Sequence, residues 1–435
     1  MKTLLHIISF EWRTLWRSST LKLMLAVILG AGIYGIFFGK FEVEKQEARM
    51  AEVEVHEKQA FDSLLVWVQL DTAVEAYKEK YLQAVSPTGV GWSKHFTYYL
   101  THETPAAAGL CLGQRDLFPV YYGFNVTDLA RQMNVAELAN PMKLLTGNFD
   151  LSYVIIFLLP LLIIALMYDI YAAEKERGTL LLLQSQPVSI NFILFSKGLL
   201  RFVIILLSAT LLLGMGFVFQ GISFQENATL FFEWLFILFG YSLFWTLLMV
   251  GIVAFKQSAA LNAMLGLGSW LFLALITPAV LNLFVLAKEP APNRSEVINL
   301  VRDLNGKNWD QPKSFVLDKF YQEYPQFNDG DTTDFNKWYY ASFTTIDKEA
   351  KGLKQQFEAQ TQKRNTLLKK WAWLAPPAMV HEKLSALSQT DRDSQMAFLS
   401  QVETYHQELV DLYYTRIFAG ELFSQEDLEL LQGRL

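Results

Sequence analysis

Five apolar stretches constrain this chain more than any other feature: residues 21–38, 151–171, 199–219, 230–255 and 258–287. Each approaches or exceeds the roughly 20 apolar residues that a helix needs to cross a bilayer. In lipid every backbone polar group must be paired inside the segment, so such stretches read as membrane helices. The chain has 435 residues, 52% hydrophobic and 18% charged, too charged for lipid-embedded helices alone. It therefore carries sizeable water-exposed parts as well. Pro160 in the second stretch and Pro278 in the last are tolerable where neighbouring helices re-satisfy the backbone. The last stretch exceeds one simple crossing: it tilts, or it breaks near Thr277-Pro278 and runs partly along the outer surface. The first is longer than a signal-peptide core, and no small-x-small site follows "GIYGIFFGKF", so it reads as a retained span.

Short connections set the orientation. Lys2, Arg13, Arg17 and Lys22 precede the first span, Lys175, Arg177, Lys197 and Arg201 surround the second connection, and Lys256 lies between the fourth and fifth spans. The connection "QGISFQENATL" has no Lys or Arg. The positive-inside rule then places the N-terminus and the second connection in the cytoplasm, and residues 39–150 and 288 onward outside. Five crossings leave residue 435 outside; either the chain ends there or a sixth span lies beyond it, and the sixth span is the expectation.

The expected organisation is a mainly α polytopic membrane protein with two mostly helical extracytoplasmic domains. Residues 1–20 form an interfacial helix, with Leu4, Leu5, Ile8, Trp12, Leu15 and Trp16 on one stripe among basic residues. The first span follows at 21–38 and the first outer domain at 39–150. Within that domain residues 41–83, rich in Glu, Lys, Ala and Gln, read as one long helix, broken by "VSPTGVGWS". The stretches "HFTYYL" and "LFPVYYGFN" after it read as aromatic and irregular. The second span occupies 151–171, a cytoplasmic loop 172–198, the third to fifth spans 199–287, and the second outer domain 288–435. The last of these carries helical runs at 342–373 and 394–418, with Thr390 or Asp391 as a cap for the second run. "LANPM" and "LAPPAM" both read as places where the chain meets the membrane interface.

Catalysis finds no support. There is no G-x-x-x-x-G-K-[ST], H-E-x-x-H or G-x-S-x-G. His95 and His102 lack a clear third ligand, and the single cysteine, Cys111, reads as a small buried residue. A net charge of -6 gives no electrostatic reason for nucleic-acid binding. Asp169, Arg201 and Glu233 lie near span ends and read as interface residues. Asn262, Gly266, Gly268 and Ser269 read as close-packing positions on the fifth span.

The connection "EKERGTLLLLQSQPVS" is too short to be a domain. Its first half reads as continuing the second span, so that Glu174, Lys175, Glu176 and Arg177 project beyond the bilayer. Gly178 permits a sharp bend, "TLLLLQSQ" a short apolar helix, and Pro187 an end to it. From the residues alone, a docking element and a tight turn anchored by interface charges are equal readings.

The pattern E-x-E-x-G-T-L, then Pro-Val-Ser and a Lys beyond, resembles the cytoplasmic loop of type-2 ABC transporter permeases. It is carried here by Glu174, Glu176, Gly178, Thr179, Leu180, Pro187, Val188, Ser189 and Lys197. The amphipathic N-terminus and the short third connection are similar too, and the two large insertions resemble those of a bacterial subgroup; a family permease has six spans. The resemblance implies a subunit of the bacterial inner membrane in which a coupling helix sits in a cleft of a separate ABC ATPase dimer. That partner binds the ATP, and this chain holds no cofactor. Glu174, Glu176 and Arg177 would position the contact by charge, and Leu180 to Leu183 would fill the cleft. A second permease copy, identical or homologous, would pair through the spans within the lipid bilayer. The implied function is ATP-driven export. The alternative is a component that moves no substrate and relays ATPase motion to an extracytoplasmic protein partner.

Overall fold

A computed structural model describes residues 2–92, 96–127, 129 and 148–432. All five apolar stretches lie in helices long and apolar enough to cross a membrane: Ser19–Val68, Leu151–Glu176, Ile190–Phe219, Ala228–Ala254 and Ala259–Lys288. The chain is a mainly helical membrane protein. Among the described residues, the strands are Tyr98–Thr101 and Tyr121–Phe124, which pair antiparallel with Tyr98 opposite Phe124. These are the aromatic stretches expected to be irregular; alternating aromatic side chains on a pleated, half-buried surface favour the ladder instead.

The N-terminal helix, Lys2–Arg17, stops at Ser18, and the first span helix then runs unbroken for 50 residues. At 1.5 Å per residue it is about 75 Å long, more than twice the roughly 30 Å of hydrocarbon that it must cross. It ends at Val68, short of the expected Gln83, and helix resumes at Glu75–Val85. The reason is local: the Asp71 carboxylate accepts from the Ala73 amide at 2.9 Å, a turn that competes with helical pairing.

Two of the spans contain one wide turn each, Val154–Leu158 and Phe272–Ile276, and each wide turn is followed by a proline. A proline ring collides with the carbonyl four residues before it, and widening the turn moves that carbonyl aside. The helix of the fifth span therefore passes Pro278 unbroken, so of the two alternatives, a tilt or a break near Thr277-Pro278, the break is not seen. In the second span the freed carbonyls find donors on neighbouring helices: Ile156 O accepts from the Tyr241 hydroxyl at 2.7 Å and Phe157 O from the Trp270 indole at 3.2 Å.

Outside the spans, residues from both long insertions fill one core. Phe61, Leu64, Tyr98, Tyr122 and Phe124 pack in the same cluster as Phe320, Trp338, Tyr413 and Phe418, and the Tyr98 and Tyr413 hydroxyls meet at 2.6 Å. The two long helices of the second insertion are Phe335–Trp371 and Arg392–Ala419. Asp391, not Thr390, caps the latter by accepting from the Ser394 amide; the Thr390 hydroxyl instead donates to the Cys111 carbonyl at 2.8 Å. The helix Pro376–Leu387, which contains most of "LAPPAM", inserts Val380 and Leu384 into the core of the spans.

The loop at residues 107–112 and the first two spans approach one another closely. A methyl group added at Gly39 would lie 1.9 Å from the Gly109 carbonyl oxygen, and one at Gly35 2.8 Å from that of Asp150. Asp150 starts the second span by accepting from the Tyr153 amide at 2.8 Å, the Ser152 hydroxyl at 2.6 Å and the Leu112 amide at 2.8 Å. One carboxylate thereby ties a span end to the loop above it.

Candidate functional site

At the other end of the spans, the second connection is a stapled hairpin of short helices. The second span loosens into turns at residues 168–171 and continues as Ala172–Glu176, so it does not project as one straight helix. Gly178 takes a left-handed conformation, φ +74°, which a residue with a Cβ adopts only at a cost. The chain reverses there into the helix Leu180–Gln184, and Pro187 stands three residues beyond the last residue of that helix. Ser189 then caps the third span by accepting from the Phe192 amide at 3.3 Å. The helix that carries the third apolar stretch, 199–219, thus begins at Ile190, nine residues before that stretch.

Glu174 is the staple. It accepts from the Thr179 hydroxyl, closing the hairpin across Gly178, and from the Lys197 ammonium at 2.6 Å, fixing the hairpin to the third span. Glu176 reaches another way: its carboxylate accepts from the Ala259 amide at 3.0 Å, at the first turn of the fifth span, where a helix N-terminus favours negative charge. Both acids act as braces, Glu174 half-buried and Glu176 exposed. Arg177 is exposed.

Beneath the hairpin lies a buried charge cluster that links three elements. Arg201 donates to Glu11 of the N-terminal helix at 2.9 and 3.2 Å, to Asp169 at 2.8 Å, and to the Leu166 carbonyl. Lys197 lies 3.4 Å from the other Glu11 oxygen. Asp169 and Arg201, expected as separate interface residues, are partners. Glu11 is absent from the expected set. Its only sequence signal is that it is the one acid in "KTLLHIISFEWRTLWR", and its side chain is buried at 3% exposure. An acid so placed holds only if paired.

The brace leaves one surface uncovered. Leu181 is 76% exposed and Leu182 67%, adjacent on a helix whose N-terminal end is held through Thr179 and Glu174. Leu180 and Leu183 are half-buried beside them.

Residues 294–432 match the domain of unknown function DUF3526. That segment is most of the second insertion, from the helix Arg294–Asp310 through the helix Gln425–Gln432; the match includes neither the spans nor the hairpin. No curated protein and no solved structure matches the chain.

The remaining expected residues fall elsewhere. Asn262 is buried and donates to the Tyr168 carbonyl at 3.0 Å, and a Cβ at Gly266 would meet Ile164 and Met249 at 2.9 Å, so both pack as expected. A Cβ at Gly268 would face open space, so that glycine serves no close contact, and the half-buried Ser269 donates its hydroxyl to the Leu265 carbonyl of its own helix. His95 lies outside the described residues. His102 stacks on Phe398 with ring centroids 4.4 Å apart; burial, then the nearby Arg115, lowers its pKa to about 4. Among the described residues no group of three or more His, Cys, Asp or Glu is arranged to hold a metal. Cys111 is fully buried, and its thiol is pushed up to about 12 by burial, so it is inert as a nucleophile.

Proposed function

We propose that the chain is the membrane subunit of an ATP-driven export system, docking a separate ATPase on the helix Leu180–Gln184. The observation that carries this reading is the exposed Leu181-Leu182 pair on a helix held by Glu174, Thr179 and Lys197. Two adjacent leucines facing water on a braced element favour a partner's cleft over a solvated turn. Glu176 extends the brace to the fifth span, so a push on the hairpin reaches the second, third and fifth spans together. ATP would be bound by the partner dimer, and this chain would supply no catalytic group. Two copies, identical or homologous, would pair in the bilayer of the bacterial inner membrane with their N-termini in the cytoplasm.

A second reading is favoured by the opposite end. Gly39 against the Gly109 carbonyl, and the Asp150 carboxylate against the Leu112 amide, tie the loop at residues 107–112 to the first two spans. A joint this close suits a relay that delivers ATPase motion to an extracytoplasmic protein partner without moving a substrate.

The test is a mild-detergent pull-down of the tagged chain from native membranes. Wild type should recover an ATPase, and Leu182→Asp should lose it while keeping its unfolding temperature. Equal recovery with both would remove the docking reading. Stimulation of the recovered ATPase by added small substrates favours export, and stimulation only by an envelope protein favours the relay.

A further inference from the structure

A cleft of about 610 Å³ opens between the third and fourth spans near the hairpin. Its floor includes Met167 and Met249, both buried, and its edges include Phe195, Leu247 and Val250, exposed at 62%, 59% and 49%. Gly198 forms part of the wall, and a Cβ there would meet nothing within 4 Å. The cleft is thus apolar, open sideways to lipid, and kept vacant partly by a missing side chain. The volume lies in the range of about 300–1,000 Å³ usual for small-molecule sites.

The cleft has a charged mouth at one end. Lys256 lines it at the turn after the fourth span, and Lys175 donates to the Lys256 carbonyl at 3.4 Å, bringing a second ammonium to the same rim. Neither lysine makes an ion pair among the described residues. The nearest connection acid, Glu176, is engaged by the Ala259 amide. Along the fourth span the lining runs from Leu243 to Ala254, about 16 Å at 1.5 Å per residue. That depth is one leaflet, half of the roughly 30 Å hydrocarbon core.

We infer that this cleft is a binding site for one anionic glycerophospholipid of the surrounding bilayer. An acyl chain lies along Met167, Gly198 and Met249, and the phosphate group sits between Lys175 and Lys256. The match is of charge and length together: two unpaired cations at the headgroup level, and apolar lining that extends one leaflet deep. A lipid there fills the space between the fourth span and the third, whose Lys197 holds the hairpin, so it stiffens that end of the molecule. The site requires no ATPase and is independent of the docking reading.

The experiment uses the full chain, reconstituted in nanodiscs of phosphatidylcholine with or without phosphatidylglycerol, then released into mild detergent for native mass spectrometry. Wild type should retain one phosphatidylglycerol in preference to phosphatidylcholine. Lys256→Asn keeps a residue that tolerates the left-handed backbone at that position, φ 57°. That change should lower retention about fivefold, and Lys175→Gln by a similar factor. Gly198→Leu fills the vacant wall and should abolish retention of either lipid while unfolding at or above the wild-type temperature. Equal retention of the two lipids, or unchanged retention in Lys256→Asn and Gly198→Leu, would overturn the site. So would efficient disulfide cross-linking of Val250→Cys between two copies in membranes, which would make the cleft an interface.

Discussion

The second and fifth spans are built by the same local device and used in opposite ways. Each is a long apolar helix with one wide turn before a proline. Yet 67% of the most apolar stretch of the second is buried inside the protein, against 11% for the fifth. The difference shows in which donors reach the carbonyls of the wide turn. In the second span Ile156 O and Phe157 O accept from Tyr241 and Trp270 on neighbouring helices, whereas Phe272 O in the fifth accepts both the amide and, at 2.9 Å, the hydroxyl of Thr277 of the same helix. A helix that must face lipid satisfies its own backbone, and a central helix can rely on others. The second span is thus the axis around which the bundle packs, and the fifth offers most of its surface to lipid or to another chain.

The largest effect that would sharpen this contrast sits at the foot of the axis. Glu11→Ala leaves Arg201 with Asp169 alone and Lys197 with Glu174 alone, and should cost about 3–5 kcal/mol, the loss usual for breaking a buried ion pair from one side. A thermal unfolding series in detergent checks it, and a cost under about 1 kcal/mol, the surface-pair value, would break the picture of a buried cluster. Next is Tyr241→Phe, which strands the Ile156 carbonyl and should cost about 1–3 kcal/mol. Thr277→Val on the fifth span should cost less than that. If the two cost the same, the axis is no more dependent on its neighbours than the fifth span is.

A third contrast lies within the fifth span. Gly266→Leu should be destabilising, because even its Cβ would meet Ile164 and Met249 at 2.9 Å, while Gly268→Leu, two residues on, meets open space. Gly268→Leu should unfold no earlier than wild type, since leucine is the better helix former.

A separate effect belongs to pH. His102 titrates near 4 in the fold against an ordinary 6.5, so between those values the unfolded chain takes up a proton that the folded chain refuses. Its contribution to stability is present above 6.5 and is lost as pH falls towards about 4. His102→Phe keeps the stack on Phe398 and should flatten the fall of the unfolding temperature over that window. An unchanged pH profile would show the ring to be freely protonated in the fold.

What the sequence made legible follows from the range of each interaction. Runs of apolar residues placed all five spans, and Gly178 placed the bend of the hairpin, because length and backbone freedom are local properties. The start of the helix that carries the third span was not legible, because residues 190–198 mix Asn191, Ser196 and Lys197 with apolar residues, and only the Ser189 cap marks the boundary. The shared core of the two insertions was not legible. Tyr98 meets Tyr413 across 315 positions of sequence, and no periodicity reports a pairing that distant. Glu11 was missed for the same reason, since its partner Arg201 lies 190 residues away.

The central claim is that the exposed leucines of the hairpin, and not the exposed face of the fifth span, meet the ATPase. Cysteine placed at Leu182, and in parallel at Leu267, would be treated with a short bifunctional cross-linker in native membranes, in a Cys111→Ser background. The account predicts a cross-link from position 182 to an ATPase-sized partner that strengthens or weakens with ATP, and none to that partner from position 267. No such product from position 182, or equal products from both, would contradict it.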